Sequence, residues 1–153
     1  LVPGYPVRFQ GQHGTPGQLV TWLKDTPGAV LVGTRSFWEG VDIPGANLSL
    51  VIIDKTPFPV PVDPLIVKLT ELAEAKGGNG FSDVSIPWVQ TLLQQGAGRL
   101  IRTTTDRGVV ALLDPRIGNK RWGRYVLKAM PEGVPTTTDL GDVAAFFGED
   151  CAA

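Results

Sequence analysis

Gln95, Arg99 and Arg102 stand four and three residues apart in the stretch Gln94-Gln95-Gly96-Ala97-Gly98-Arg99-Leu100-Ile101-Arg102. On a helix that spacing puts all three on one narrow stripe. Val89, Leu93, Ala97 and Leu100 then fall on roughly the opposite side, at about 100° per residue. The segment reads as a helix that buries one face and aims an amide and two guanidinium groups from the other. Planar guanidinium forks suit phosphate oxygens, and a glutamine beside them can orient a water or a phosphate. The chemistry implied is contact with a transferring phosphoryl group. Gly96 and Gly98 sharpen this reading. Each costs roughly 1 kcal/mol relative to alanine inside a helix, so two within three residues point to close approach of a neighbour or a ligand. A solvated helix face is the plain alternative.

A second group of residues follows the apolar run Ala29 to Gly33: Thr34-Arg35-Ser36-Phe37-Trp38-Glu39-Gly40-Val41-Asp42-Ile43-Pro44-Gly45. Thr34 and Ser36 would sit at a strand's carboxyl end, where hydroxyls and backbone N–H groups bind phosphate oxygens. Gly40 permits a turn or a close backbone approach. Asp42 can accept from a ribose hydroxyl or an arginine, or simply stabilise a turn. Phe37 and Trp38 either stack on a base or fill core.

Strands and helices alternate around these residues. Compact apolar runs at Ala29 to Gly33, Leu48 to Ile53 and Val109 to Leu113 predict strands buried on both faces, and Val7 to Gln10 a further short strand. Asp54 and Asp114 stand just past the last two runs. Thr15-Pro16 is an N-cap and first-turn signal for a helix that ends near Asp25. Leu65, Leu69 and Leu72 predict a helix over Pro64 to Lys76, stopped by Gly77-Gly78. Further helices are predicted over Pro87 to Thr103, Trp122 to Met130 and Leu140 to Phe147, the last capped by Thr138 or Asp139 and stopped by Gly148. This alternation predicts an α/β fold, a parallel sheet with helices on both faces, whose ligands sit beyond the carboxyl ends of the strands. Lys55 to Pro64 carries four prolines, too many for a helix or a central strand. It is either a rigid connector or a ridge bordering a groove.

Composition bounds the rest. The 153 residues suit a single domain over 1–153, and 42% apolar with 19% charged content is globular rather than disordered. A net charge of −1 argues against a strongly basic nucleic-acid footprint, so any DNA contact must be local or shared with another domain. The lone Cys151 cannot form an internal disulfide or a zinc site by itself. No run of about 20 apolar residues predicts a membrane span. There is no internal repeat and no charge run. The chain opens at Leu1 with Met130 as its sole methionine, so it is expected to be a piece of a longer protein.

Taken together, these stretches resemble the DinG/XPD-like DNA helicases of superfamily two, and the bacterial DinG-like branch in particular. Thr34 to Gly45 is similar to their motif V. Gln95 to Arg102 is similar to motif VI, Gln-x-x-Gly-Arg-x-Ile-Arg. Lys55-Thr56-Pro57-Phe58-Pro59 with Asp63-Pro64 resembles the Lys-x-Pro-Phe segment between them, and Asp106-Arg107-Gly108 and Asp114-Pro115-Arg116 also fit. The resemblance runs from about Gln10 to Met130.

The resemblance implies the second, RecA-like lobe of an ATP-driven 5′-to-3′ DNA helicase, truncated at its N-terminus so that the strand carrying motif IV is expected to precede Leu1. It implies Arg102 as an arginine finger with Arg99 beside it, and Gln95 on the γ-phosphate or the attacking water. Gly40, Asp42 and Gly98 would serve nucleotide binding, and Thr34 and Ser36 would hold a DNA phosphate. Gln10 and Gly11 match a further DNA-contacting loop only weakly. ATP and Mg2+ would be bound mainly by a first lobe, which carries the phosphate-binding loop and, in many members, an iron–sulfur cluster. No metal site is expected in this chain. The implied partners are that first lobe and single-stranded DNA, with no membrane, in a monomer acting in the cytoplasm at the nucleoid. The chain lacks a Gly-x-x-x-x-Gly-Lys-[Ser/Thr] loop, so alone it should not turn over ATP. Two other readings stay open: a non-catalytic RecA-like module that binds nucleic acid or protein, and a different nucleotide-handling enzyme such as a nucleotide transferase, which would need its own phosphate loop.

Overall fold

The computed structural model describes residues 4–35, 37, 48–100, 106–131 and 133–148. All four of their strands pair parallel, two by two. Strand β1 (Val7–Phe9) pairs with β2 (Val30–Val32) in the register Val7↔Val30. Strand β3 (Leu50–Ile53) pairs with β4 (Val109–Leu112) in the register Leu50↔Val109. Parallel neighbours need a crossover, and helices supply it in both pairs. Helix α1 (Pro16–Asp25) connects the first pair, and α2 (Pro64–Ala75) with α3 (Ile86–Leu100) the second. The mixed architecture of parallel strands crossed by helices is the one expected of a RecA-like lobe.

The helix boundaries have local causes. Thr15 caps α1 in a full capping box: its hydroxyl accepts from the Gln18 N–H, and the Gln18 side chain accepts from the Thr15 N–H. Asp63 caps α2 by accepting from the Leu65 and Ile66 N–H groups ahead of Pro64 at the first helical position. Gly77, at φ 79°, lets the chain leave α2 in the left-handed region. A π-helical turn, Phe81–Ser85, then leads directly into α3.

Two cores result. Leu19 and Leu23 of α1 close with Phe37 over the first pair of strands. Ile86, Val89 and Leu93 of α3 meet Ile53, Val126 and Ala129 over the second.

Three expectations need correction. The strands are not buried on both faces: Ile52 is 57% exposed and Val32 45%. Along β3 burial alternates, with Val51 and Ile53 turned toward the core and Leu50 and Ile52 away. Among the described residues α3 covers only one face of this pair, and period-2 geometry leaves the other open. The helix expected over Trp122 to Met130 is also shorter. It forms only as α5 (Gly123–Leu127), and a short unpredicted helix, α4 (Arg116–Asn119), precedes it across a turn. A Cβ at Gly123 would collide with the Ile117 carbonyl oxygen, so glycine is what allows the two short helices to meet. Finally, α3 starts one residue early, and residues 101–105 at its expected end lie outside the described residues. The last helix, α6 (Leu140–Gly148), is capped by Asp139, whose carboxylate accepts from the Gly141 N–H.

Candidate nucleotide and nucleic-acid site

Helix α3 is amphipathic in the sense the sequence required. Ile86, Val89, Leu92, Leu93, Gly96, Ala97 and Leu100 are buried. Gln95 and Gly98 are exposed and Arg99 is half-buried at the edge of the open side. The core therefore fixes the rotation of the helix, and with it the direction of the Gln95–Arg99 stripe. The two glycines separate into different roles. Gly96 is buried with the packed face. A Cβ at Gly98 would meet nothing within 4 Å, so nothing among the described residues requires glycine there. Its vacancy is available to a group from outside. Arg102, Gly40, Asp42 and Ser36 lie outside the described residues.

At the other strand pair, the chain leaving β2 is tied to the chain leaving β1. The Thr34 N–H and hydroxyl both donate to Gln10 Oε1, at 2.8 and 3.1 Å. The Gln10 N–H donates to the Val32 carbonyl at 2.9 Å. Gln10 and Thr34 thus form one exposed polar clasp at the carboxyl ends of two neighbouring parallel strands. Phe37, which could have stacked on a base, is core: it is 8% exposed and packs with Leu19 and Leu23. Trp38 lies outside the described residues.

The loop after β4 holds an arrangement whose parts were visible in the sequence but not its purpose. Asp114 is buried. Its carboxylate accepts from Arg116 Nε at 2.9 and 3.1 Å, from Arg116 Nη2 at 2.6 Å, from the Arg116 N–H at 3.0 Å, and from the Thr56 N–H at 3.0 Å. The Arg116 hydrogen bonds hold the Asp114 carboxyl far below the usual carboxylate range, burial works against them, and Thr56 adds to the lowering. The same contact raises the Arg116 pKa. The Thr56 hydroxyl is buried beside them without a hydrogen bond of normal geometry. The guanidinium also sits 5.7 Å from the Phe58 ring and 5.9 Å from Trp122. Phe58 stacks on Phe81 at 5.6 Å and meets Trp122 edge-on at 4.9 Å. The proline-rich segment is anchored at Thr56 and Phe58, which suits a rigid connector and a ridge equally. The Asp114–Thr56 contact spans 58 residues, which local sequence patterns do not reveal.

Among the described residues no group of three histidine, cysteine, aspartate or glutamate side chains is placed to hold a metal ion. No helix is long and apolar enough to cross a membrane.

Parallel strands crossed by helices, with a glutamine–arginine stripe on α3 and polar strand ends, fit a RecA-like lobe. The chain belongs to the helicase C-terminal domain family, whose model matches residues 3–133. The ATP-dependent helicase DinG of Mycobacterium tuberculosis strain H37Ra is 45% identical over 132 residues, 86% of this chain and 20% of that protein. The ATP-dependent DNA helicase YoaA of Escherichia coli K12 is 43% identical over 141 residues, 92% of this chain and 22% of that protein. A Bacillus subtilis protein named 3′-5′ exonuclease DinG is 44% identical over 118 residues, 77% of this chain and 13% of its own length. The chain thus spans about a fifth of the length of the first two relatives.

Proposed function

We propose that this chain is the second motor lobe of an ATP-dependent 5′-to-3′ DNA helicase and supplies half of a nucleotide site. The observation that carries this reading is the orientation of α3. Its buried face is locked into the core, and Gln95 and the Gly98 vacancy are exposed with Arg99 at their edge. A preorganised guanidinium stabilises charge that develops on a transferring phosphoryl without reorganising at the moment of reaction. Arg102 is the finger, Arg99 its neighbour, and Gln95 contacts the γ-phosphate or the attacking water. Gly40 and Asp42 link the nucleotide to the DNA side. Thr34 and Ser36 hold a DNA phosphate, with Thr34 oriented by Gln10. Mg2+ chemistry belongs to the first lobe, where the nucleotide's phosphates are gripped.

Coupling follows from differential contact. ATP touches both lobes and ADP fewer groups of this one, so binding favours closure and hydrolysis releases it. Each closure moves one lobe along the strand, and backbone contacts make that motion largely independent of sequence. The purified chain, tested alone with ATP, Mg2+ and single-stranded DNA, is expected to show no hydrolysis above background. Robust turnover would show a complete site within these residues and end the half-site reading.

A further inference from the structure

The segment from Arg116 to Lys128 carries Arg116, Lys120, Arg121, Arg124 and Lys128 and no acidic residue, in a chain of net charge −1. Arg116 is committed to Asp114. The other four are exposed, and among the described residues none of them is paired with a carboxylate. Trp122, Gly123 and Tyr125 separate them in sequence, so they form no run. Folding brings them onto one surface. Lys120, Arg121 and Arg124, with Ile117, Gly118 and Leu127, line an open cavity of about 540 Å³. Arg124 extends this surface to Tyr125, which is 42% exposed: its guanidinium lies 4.8 Å from the ring and donates to the phenol oxygen at 2.9 Å. Lys128 approaches the same ring at 5.9 Å.

The back of this segment is fixed. Val126 and Ala129 are buried against α3, and Gln90 Nε2 donates to the Tyr125 carbonyl at 2.7 Å. Gly123 seats α5 on α4. Four cations are therefore held near one another with no carboxylate between them. Their mutual repulsion is relieved by a polyanion rather than by a single small ion, because the charges extend from the cavity to the surroundings of the Tyr125 ring. A cationic track beside an exposed aromatic ring is the chemistry that receives a single strand, with phosphates on the cations and a base on the ring.

We propose that Lys120, Arg121, Arg124, Lys128 and Tyr125 form a second contact for single-stranded nucleic acid, separate from the Gln10–Thr34 clasp. It shares with the motor reading only the identity of the strand. It also locates the local basic footprint that a net-acidic chain needs for such a partner.

The test is the salt dependence of binding, read by fluorescence anisotropy of a labelled oligothymidylate with the full chain between about 50 and 200 mM salt. Replacing Lys120, Arg121 and Arg124 together by alanine is expected to flatten the slope of log affinity against log salt by about 2, since each lost single-strand phosphate contact removes about 0.7. Tyr125→Ala is expected to weaken binding at least about fivefold. The single variants Lys120→Ala and Arg121→Ala, each a surface truncation, are expected to lower the slope by about 0.7 each, which keeps the test valid if the triple variant fails to fold. An unchanged slope overturns the proposal. So does displacement of the strand by inorganic phosphate or polyglutamate as effective as by unlabelled oligonucleotide, which would make this a small-anion or acidic-protein surface. Thr34→Ala measured alongside separates the two readings. A loss there with none in the basic variants removes this site and leaves the motor intact, and the opposite pattern removes the clasp and leaves this site.

Discussion

The loops that leave β2 and β4 occupy equivalent positions, each just past the carboxyl end of a parallel strand, and the fold uses them in opposite ways. After β4, Asp114 is buried and its oxygens are spent on Arg116 and Thr56. After β2, Thr34 is exposed and held by Gln10 at the surface. Position beyond a strand end is where ligands bind in such sheets, but position alone does not make a ligand group. A carboxylate saturated by a guanidinium and two backbone N–H groups is a latch. A hydroxyl oriented on an exposed clasp is, in the proposed reading, a handle.

The contrast breaks most visibly at the latch. Asp114→Ala leaves the Thr56 N–H without its acceptor and frees Arg116, and is expected to lower stability by about 2–3 kcal/mol. Chemical denaturation measures this, and a stability change within about 0.5 kcal/mol would mean the contact is ornamental. The pH dependence follows from the same pair. The Asp114 carboxyl is depressed in the folded state, so its contribution is fully present above the unfolded carboxylate value of about 4 and is lost as pH falls below it. Melting temperature followed down through that window should fall more steeply for the wild-type chain than for Asp114→Asn. Parallel curves would contradict the assignment.

At the handle the sign reverses. Thr34→Ala is expected to leave stability within about 0.5 kcal/mol and to weaken single-strand binding by about 1 kcal/mol, roughly fivefold. A variant that unfolds instead would make Thr34 a second latch. The smallest expected effect is at Gly98. With nothing within 4 Å of its Cβ position, Gly98→Ala should stabilise the helix by up to about 1 kcal/mol. ATP turnover in the longer helicase proposed to contain this chain should nonetheless fall. A stabilised variant with full turnover would show that the vacancy serves no nucleotide.

Much of this was legible from short-range pattern. The leucine and valine spacing around Gln95 defines which face of α3 is buried, because helical periodicity is local. Thr15-Pro16 and Asp63-Pro64 mark helix starts for the same reason. The latch was not legible, since Asp114 and Thr56 meet only after β3 and β4 pair. The π-helical turn at Phe81–Ser85 carries no cap or periodic signal that separates it from ordinary helix. The cationic surface of residues 120–128 carries no sequence signal because aromatic and small residues interrupt it, and only the junction of α4 with α5 at Gly123 gathers it. Depth of burial is not legible in the strands. An apolar run states that a strand can be covered on both faces, whereas Ile52 and Leu50 remain open among the described residues.

The central claim is that this lobe completes a triphosphate site by reaching across to a partner lobe. Its most direct test is Arg102→Ala in the longer helicase proposed to contain this chain, with DNA-stimulated ATP hydrolysis and single-strand binding measured on the same preparation. An arginine finger is worth about 10³–10⁵ in rate, so turnover should fall by at least about 10³-fold while strand affinity and melting temperature stay near those of the parent. Turnover within a few-fold of the parent would contradict the account.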